Sequence, residues 1–332
     1  MPAAGVILTV LTGAVLLLLA AAGALFRFVI VRPARPDLDF KPQKKKKQTE
    51  KEQQLWAQYH RFITARNAAR PYMESLPSEH WQIKTRDGLT LSAQYFAAEE
   101  PTQKTILAVH GYHSEGINEY CPFMHFYRKL GFNVLVIDQR AHGKSEGKYI
   151  GFGYYEKEDV LCWAQQIVEK QGQNSSILLH GISMGSATVL MAGGQPQLPK
   201  QVKGIVADCA YTSAWNQFVF QIKQMFHLPW FPLLPLASGW CRVCAGYGFR
   251  QADTLACVRS ICVPVLFIHG AADSYVPTEM VHTLYAACPA PKQLWLCPGA
   301  PHAQSYLVDA KTYEEKFTAF LAMVNMVKTQ AV

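Results

Sequence analysis

Residues 177–190 read ILLHGISMGSATVL and centre on GISMG, residues 181–185. An apolar, strand-like run leads to a serine between two glycines, and a helix-forming stretch follows it. When a sharp strand-to-helix turn holds the serine of a G-x-S-x-G pattern, its hydroxyl is exposed at the end of the strand. The glycines leave room for backbone packing that larger side chains would obstruct. The stretch therefore predicts Ser183 as a nucleophile, and the alternative is an ordinary strand that ends in a flexible turn.

A serine hydroxyl is a weak nucleophile unless a histidine takes its proton and a carboxylate orients that histidine. With this kind of turn, the three residues follow in the order Ser, Asp or Glu, His. Downstream, FIHGAADSYVP places Asp273 after one apolar segment, and LCPGAPHAQSY places His302 after the last one. Both are predicted to lie on loops at the carboxyl edge of a parallel sheet, where ligands bind. Asp208, which also ends an apolar segment, is the alternative acid.

From residue 81 onward the chain alternates apolar, strand-like segments with helical ones. Two strands flank Asp87-Gly88, which is a hairpin signal. Six further strands with helices between them indicate an α/β fold, an eight-stranded and mostly parallel sheet with helices on both faces. The expected strands are 81–84, 89–96, 105–110, 133–138, 176–180, 202–208, 264–269 and 293–297, and the expected helices include 155–170, 184–192, 278–287 and 313–327.

The segment between the sixth and seventh strands is rich in aromatic residues and prolines, as in FHLPWFPLLPLASGW (226–240). Long insertions in compact domains are usually functional, so we predict that residues 209–262 form a helical cap over a pocket. An apolar groove in this cap would be lined by some of Phe218, Phe220, Phe226, Trp230, Phe231 and Leu234.

The N-terminal run from Ala3 to Phe26 carries no charge and is long enough to cross a hydrocarbon core of about 30 Å as a helix. A secretory signal peptide is the alternative, because residues 20–22 are three alanines that resemble a cleavage site. Such a peptide has a basic stretch before its apolar core, and none precedes Ala3. We therefore expect an uncleaved, single-pass anchor in the cell membrane.

Most of the net charge of +8 lies in residues 27–51, where nine basic side chains face three acidic ones. A basic tract after a membrane helix favours contact with anionic headgroups, or else is a solvated linker. It lacks the motifs and basic folded face of a nucleic-acid-binding protein. Because basic residues near a membrane helix stay on the cytoplasmic side, the folded domain is expected in the cytoplasm. These residues are Arg27, Arg32, Arg35, Lys41 and Lys44–Lys47.

The pattern predicts four regions, with a helix over 52–70 that Pro71 ends or kinks. The regions are an anchor (1–31), a basic linker and helix (32–79), a core (80–208 and 263–332) and the cap (209–262). The nine scattered cysteines indicate free thiols in a reducing compartment. Cys241 and Cys244 form a lone C-x-x-C that lacks two further zinc ligands, so no metal or cofactor is predicted, and a metal or redox role of this pair is the minor alternative.

Other polar residues are assigned structural roles. The histidines that precede glycines at strand ends are expected to be buried and hydrogen-bonded, and a charged turn is expected to brace the neighbouring loop. Two glutamates are placed on a solvated loop. The histidines are His110, His180 and His269. The charged turn contains Asp138, Arg140, His142 and Ser145, and the glutamates are Glu115 and Glu119.

Several motifs between residues 80 and 328 resemble those of the α/β-hydrolase superfamily. The similarity is greatest to serine aminopeptidase and monoacylglycerol-lipase-like hydrolases, including membrane-anchored bacterial ones of uncharacterised substrate. The motifs are VHGYHSEG (109–116), VIDQRAHGKSEG (136–147), HGISMGSA (180–187), ADCAYTS (207–213), HGAADSYVP (269–277) and PGAPHAQSY (298–306).

This resemblance implies an α/β-hydrolase fold and an oxyanion hole formed by the backbone N–H groups of Tyr112 and Met184. Pro301 replaces a common glycine before the histidine, which puts the geometry of that loop in question. The implied activity is hydrolysis of a small-molecule or lipid-like ester through an acyl-serine. The alternatives are a peptidase, for which Glu115 is the candidate to hold a substrate amine, and a non-catalytic, membrane-tethered binding protein.

Overall fold

The computed structural model describes residues 2–33 and 50–327, except for the side chains of residues 2–4, 50–56, 58, 59, 225 and 226. Most of the basic tract, including Arg35, Lys41 and Lys44–Lys47, therefore lies outside the described residues. The same holds for the side chain of Phe226.

Within the described residues the strands form one eight-stranded sheet in the order β1-β2-β4-β3-β5-β6-β7-β8. The β1–β2 and β2–β4 pairs are antiparallel, and every other neighbouring pair is parallel. This confirms the predicted sheet, including the hairpin at Asp87-Gly88. The strands are β1 (Glu79–Lys84), β2 (Thr90–Phe96), β3 (Lys104–Val109), β4 (Asn133–Ile137), β5 (Ser176–Ile182), β6 (Val202–Asp208), β7 (Val265–Gly270) and β8 (Lys292–Cys297).

The helices lie on both faces of the sheet and in the segment between β6 and β7. Short 3₁₀ turns occupy Cys121–Phe123 and Phe249–Gln251. The α-helices are α1 (Pro2–Ile30), α2 (Glu50–Ser75), α3 (Gly116–Tyr120), α4 (Met124–Lys129), α5 (Glu156–Gln171), α6 (Met184–Gly193), α7 (Ala214–Phe226), α8 (Leu233–Ala245), α9 (Thr254–Val258), α10 (Thr278–Ala287), α11 (Ser305–Val308) and α12 (Ala310–Met323).

Two of the predicted helices have wrong bounds. α2 continues past Pro71 to Ser75, although proline removes one backbone hydrogen bond from the helix interior. α12 begins three residues earlier than expected, because the Asp309 side chain accepts a hydrogen bond from the N–H of Thr312 and caps the helix. It also ends early, at Met323.

The central strands are buried on both faces, which explains their continuous apolar sequence. All five residues of β4 are buried, whereas β1, at the edge of the sheet, alternates exposed and buried residues. One apolar cluster lies on each face of the sheet. A third joins α1, α7 and α8 to Met184 at the start of α6, so the N-terminal helix shares a core with the site region.

α1 has two different surroundings along its length. Between Val6 and Leu17 most apolar side chains are exposed, whereas Ala22 and Ile30 are buried. In this later part α8 packs against the helix, and the indole N–H of Trp240 donates to the carbonyl of Leu19 at 3.2 Å. By length and composition, Gly5–Ile30, with a mean hydropathy of 2.5, fits either a membrane span or a signal sequence.

The end of α1 is tied to residues 143–150 by hydrogen bonds. The guanidinium of Arg32 donates to the carbonyls of Ser145 and Gly143 at 2.6 and 2.5 Å. The backbone N–H of Ile150 donates to the carbonyl of Ile30 at 2.8 Å. These bonds fix the last turn of α1 against the loop that follows β4.

Candidate active site

Ser183 lies at the turn between β5 and α6 with a φ of 55° and a ψ of −117°. A non-glycine residue adopts such a positive φ only where the surrounding structure enforces it. Its N–H donates to the carbonyl of Asp208 on the neighbouring strand at 2.8 Å. A Cβ on Gly181 would lie 2.3 Å from the carbonyl oxygen of Gly185, and one on Gly185 would lie 1.9 Å from that of Val109. Glycine is therefore required on both sides of the serine.

The structure brings Ser183, His302 and Asp273 into one hydrogen-bonded chain. Ser183 Oγ is 2.8 Å from Nε2 of His302, and Nδ1 of His302 is 2.7 Å from Oδ2 of Asp273. The other carboxylate oxygen of Asp273 accepts the N–H groups of Tyr275 and Val276 at 2.8 and 2.9 Å. An imidazole that donates from Nδ1 presents the lone pair of Nε2 to the serine hydroxyl.

The charges in this chain stabilise one another. Burial alone would lower the pKa of His302, but the negative charge of Asp273 and its hydrogen bond raise it above its ordinary value. Burial would raise the pKa of Asp273, but His302 and His269 hold it well below the usual range. Nε2 of His269 lies 3.3 Å from the same carboxylate. Asp273 is therefore a buried carboxylate that remains ionised.

The carboxylate of Asp208, the alternative acid, makes no hydrogen bond to His302, whose Nδ1 and Nε2 are bonded to Asp273 and Ser183. One of its carboxylate oxygens is buried without a hydrogen-bond partner in the described part of the chain. Burial raises the pKa of Asp208 to about 6. Its backbone carbonyl holds the N–H of Ser183, so Asp208 positions the turn rather than the imidazole.

Tyr112 and Met184, the two residues implied for an oxyanion hole, line the same cavity as Ser183. Met184 begins α6, so its N–H belongs to the first turn of a helix, where backbone N–H groups have no intrahelical partner. The hydroxyl of Tyr112 donates to the carbonyl of Val29 on α1 at 2.9 Å. The side chain of this loop residue is thus attached to the N-terminal helix.

The charged turn after β4 braces the loop that carries Tyr112, as predicted. Asp138 accepts the N–H groups of Gly116 and Lys144 at 3.0 and 2.9 Å. Nε2 of His142 accepts the N–H of His113 at 3.2 Å. The network extends to α5, because Arg140 donates to both oxygens of Asp159 at 2.6 and 2.7 Å.

The histidines at strand ends are buried and hydrogen-bonded, as predicted. His110 accepts the N–H of Gln139 at 3.0 Å, and His180 bonds to the hydroxyls of Tyr127 and Tyr313. Each is fully buried.

The placement of Glu119 on a solvated loop is wrong. Glu119 lies on the short helix α3 and is 7% exposed, and burial raises its pKa above the ordinary value. Its carboxylate is 3.9 Å from where a Cβ on Gly111 would be, in the loop that leads to Tyr112. Neither Glu115 nor Glu119 lines the cavity.

The cavity at Ser183 has a volume of about 850 Å³ and a mostly apolar lining. Of the predicted groove residues in the segment after β6, Phe218 and Leu234 line it. Phe220, Trp230 and Phe231 do not, and Phe231 is 64% exposed. Part of the lining comes instead from α1, including Leu25, Phe28 and Val29.

All nine cysteines lie within the described residues and are free, and five of them are buried. Ligand atoms of Cys209, Asp273 and His302 lie within 4.8 Å of one another, which is close enough for a metal ion. Burial keeps the pKa of the Cys209 thiol well above its ordinary value, and the other two residues already bond to each other. These three side chains are therefore best described as a neutral Cys209 thiol beside the hydrogen-bonded pair of Asp273 and His302.

Sequence reasoning missed the contribution of α1 to the site and the position of Cys209. The apolar composition of α1 is the same whether its side chains contact lipid or protein, so no pattern distinguishes the cavity-lining residues. A signal for Cys209 did exist, because it directly follows Asp208 at a strand end that faces the site.

The sheet order and the serine on a strand-to-helix turn define an α/β-hydrolase fold. Residues 100–239 match the family model described as "Serine aminopeptidase, S33". The chain is 33% identical over 231 residues to the "Uncharacterized protein YqkD" of Bacillus subtilis (strain 168), covering 70% of this chain and 75% of YqkD. Esterase Pf2001 of Pyrococcus furiosus superposes with a TM-score of 0.62 at 25% identity, covering 76% of this chain and 93% of the esterase.

The "Uncharacterized protein YfhR" of Escherichia coli O157:H7 is 24% identical over 234 residues, which cover 69% of this chain and 75% of YfhR. The chain belongs to the α/β-hydrolase superfamily, in the serine aminopeptidase S33-like family that the matched model describes. The fold and the family are thereby established, and the catalytic roles of Ser183, Asp273, His302, Tyr112 and Met184 stay predictions.

We expect Gly185→Ala to lower the free energy of unfolding by about 3 kcal/mol or more, because its Cβ would overlap the backbone of β3. Gly239→Ala is the matched control. Gly239 is an exposed residue of α8 with open space at its Cβ position, and alanine there should stabilise the helix by up to about 1 kcal/mol. Urea unfolding in detergent measures both, and equal stabilities of the two variants would contradict the packing described for the turn.

Proposed function

We propose that this protein is a membrane-anchored serine hydrolase that cleaves carboxylic esters with apolar acyl chains. The observation that carries the proposal is the continuous hydrogen-bonded chain from Ser183 through His302 to Asp273, with Ser183 at an apolar cavity.

In the proposed mechanism, Ser183 Oγ attacks the ester carbonyl carbon while Nε2 of His302 accepts the hydroxyl proton. Asp273 stabilises the imidazolium that forms. The N–H groups of Tyr112 and Met184 bind the oxyanion of the tetrahedral intermediate. His302 then gives its proton to the leaving alcohol, and a water molecule, deprotonated in turn by His302, hydrolyses the acyl-serine.

An ester is favoured over a peptide by the lining of the cavity. A peptidase that removes N-terminal residues needs an acidic group to hold the substrate amine. Among the described lining residues none is acidic, and the charged ones, Arg27 and Arg32, are basic. The similarity to esterase Pf2001 also supports an ester. The intact hydrogen-bonded chain argues against a non-catalytic binding protein.

The proposed anchor is α1, with the hydrolase domain in the cytoplasm. Retention of α1 is supported by its packing, since Ala22, Phe26 and Ile30 are buried in the folded protein. The basic residues Arg27 and Arg32 at its end favour a cytoplasmic location for the domain, and the free cysteines agree with a reducing compartment. We further propose that residues 209–262, with α7 and α8, act as the cap of the core formed by 80–208 and 263–332.

Ser183→Ala should abolish labelling by a fluorophosphonate and lower kcat/KM for a p-nitrophenyl ester by about 10⁴-fold or more. Asp273→Asn should cost about 10⁴-fold, because His302 loses both its orientation and the charge that stabilises it. Asp208→Asn is the matched control and should cost less than about tenfold. Labelling that persists in Ser183→Ala, or a larger loss from Asp208→Asn than from Asp273→Asn, would contradict these assignments.

The pH dependence of kcat/KM should follow the ionisation of His302, which must be neutral to accept a proton. Its pKa lies above the ordinary 6.5, so activity should rise with pH through a midpoint above that value. Asp273→Asn removes the raising charge and should move the midpoint of the residual activity downward. A wild-type midpoint below pH 6.5 would contradict the coupling between these two residues.

The hydrolase domain should survive protease added to intact spheroplasts and be digested only after lysis. The mature protein should retain α1 and sediment with membranes. Digestion without lysis would place the domain outside the cytoplasm. A mature N-terminus near Ala22 or Gly23 would identify α1 as a cleaved signal.

A further inference from the structure

The wall of the active-site cavity includes the last two turns of the N-terminal helix. Leu25, Phe28 and Val29 line the cavity together with Ser183. A helix that only anchored the protein would not need to line the cavity that contains Ser183. Here the same helix is apolar along its exposed length and borders the site at its end.

The mouth of the cavity is marked by lining residues that are exposed. Three of these, Ala24, Arg27 and Phe28, are on α1, and the exposed fraction of Phe28 is 68%. Tyr275, after β7, is the other exposed residue among the described lining residues. Its ring centroid is 4.9 Å from that of His302. The opening therefore extends from α1 to the imidazole that bonds to Ser183.

The position of the mouth along α1 matches the edge of a bilayer. A helix needs about 20 apolar residues to cross the hydrocarbon core. Among the described side chains, the exposed apolar residues of α1 begin near Val6, and a hydrocarbon core that started there would end close to Ala24. Ala24 is about 10 Å along the axis from exposed Leu17. Trp240, 40% exposed, bonds to α1 at Leu19, and tryptophan is enriched at membrane–water interfaces.

We propose that α1 forms the entrance and one wall of the acyl-binding site, through which the chain of a membrane-borne acyl ester enters directly from the bilayer. This rests on the proposed ester hydrolase activity and names its substrate class, a lipid whose acyl chain lies in the leaflet that α1 leaves. Ala24 and Phe28 select for long chains at the mouth, while the ester carbonyl reaches Ser183 below Tyr275.

The attachments of α1 keep this entrance in a fixed position. Arg32 and Ile30 are bonded to residues 143–150, and the hydroxyl of Tyr112 is bonded to Val29. The helix therefore cannot tilt away from the cavity without breaking these hydrogen bonds. α1 therefore holds both the cavity wall proposed to contact the acyl chain and the loop proposed to bind the oxyanion.

The test uses the full chain in phosphatidylcholine vesicles with two esters that share a leaving group. 4-Methylumbelliferyl oleate partitions into the bilayer, and 4-methylumbelliferyl acetate is small and soluble. Ala24→Trp narrows the mouth and should lower kcat/KM for the oleate at least tenfold relative to kcat/KM for the acetate, while the variant is still labelled by a fluorophosphonate. Ala21→Trp is the matched control, an exposed α1 alanine outside the lining, and should leave both esters within twofold.

The acetate and labelling measurements separate a blocked entrance from a damaged protein. Equal losses on both esters in Ala24→Trp, no loss on either, or an oleate loss in Ala21→Trp as large as in Ala24→Trp would overturn the entrance at α1. Failure of the proposed function shows differently, as a wild-type protein that is not labelled and cleaves neither ester.

Discussion

The contact between the backbone of Gly185 and the carbonyl of Val109 determines how close α6 comes to β3, and the site depends on that closeness. At this short distance between α6 and β3, the turn after β5 holds Ser183 at a positive φ with its hydroxyl toward His302. The parallel sheet supplies the remaining partners, because β7 and β8 end at the same edge and their loops carry Asp273 and His302. The steric constraint positions Ser183, and the sheet edge brings to it His302, which lies 119 residues further along the chain, together with Asp273.

A second requirement is electrostatic. The carboxylate of Asp273 is buried, and a buried charge is unstable unless donors surround it. Two backbone N–H groups, from Tyr275 and Val276, and two imidazoles, from His302 and His269, meet this need. By contrast, Glu119 and Asp208 are buried with fewer compensating charges, and their pKa values are raised. Of these three carboxyl groups, Asp273 is therefore the one whose ionised form its surroundings favour most, and it lies where it can orient His302.

The core sheet and the Ser183–His302–Asp273 grouping were predictable because both leave strong local patterns. Strands buried on two faces are continuous apolar runs, and each site residue directly follows one. The environment of Glu119 was not predictable, since a five-residue helix has too little periodicity to reveal a buried face. The residues of the cavity wall were not predictable either, because Phe218 lines the cavity and Phe231 does not, although both lie in the same aromatic-rich segment. Phe218 packs against Phe152 and Phe249, whereas Phe231 is exposed, and tertiary contacts of this kind leave no local sequence pattern.

The packing of Gly23 and Ala22 against the domain changes what kind of element α1 is. A helix that only spans a membrane is constrained mainly by its hydropathy, its length and its interfacial residues. This helix must also match the surface of Trp240 and α8 and complete a pocket. An unrelated apolar helix of the same length would match the hydropathy of α1 without completing the cavity wall. Substitutions at the lining positions of α1 are therefore constrained by the shape of the cavity as well as by hydropathy, and this segment cannot be exchanged for another apolar helix without changing the cavity.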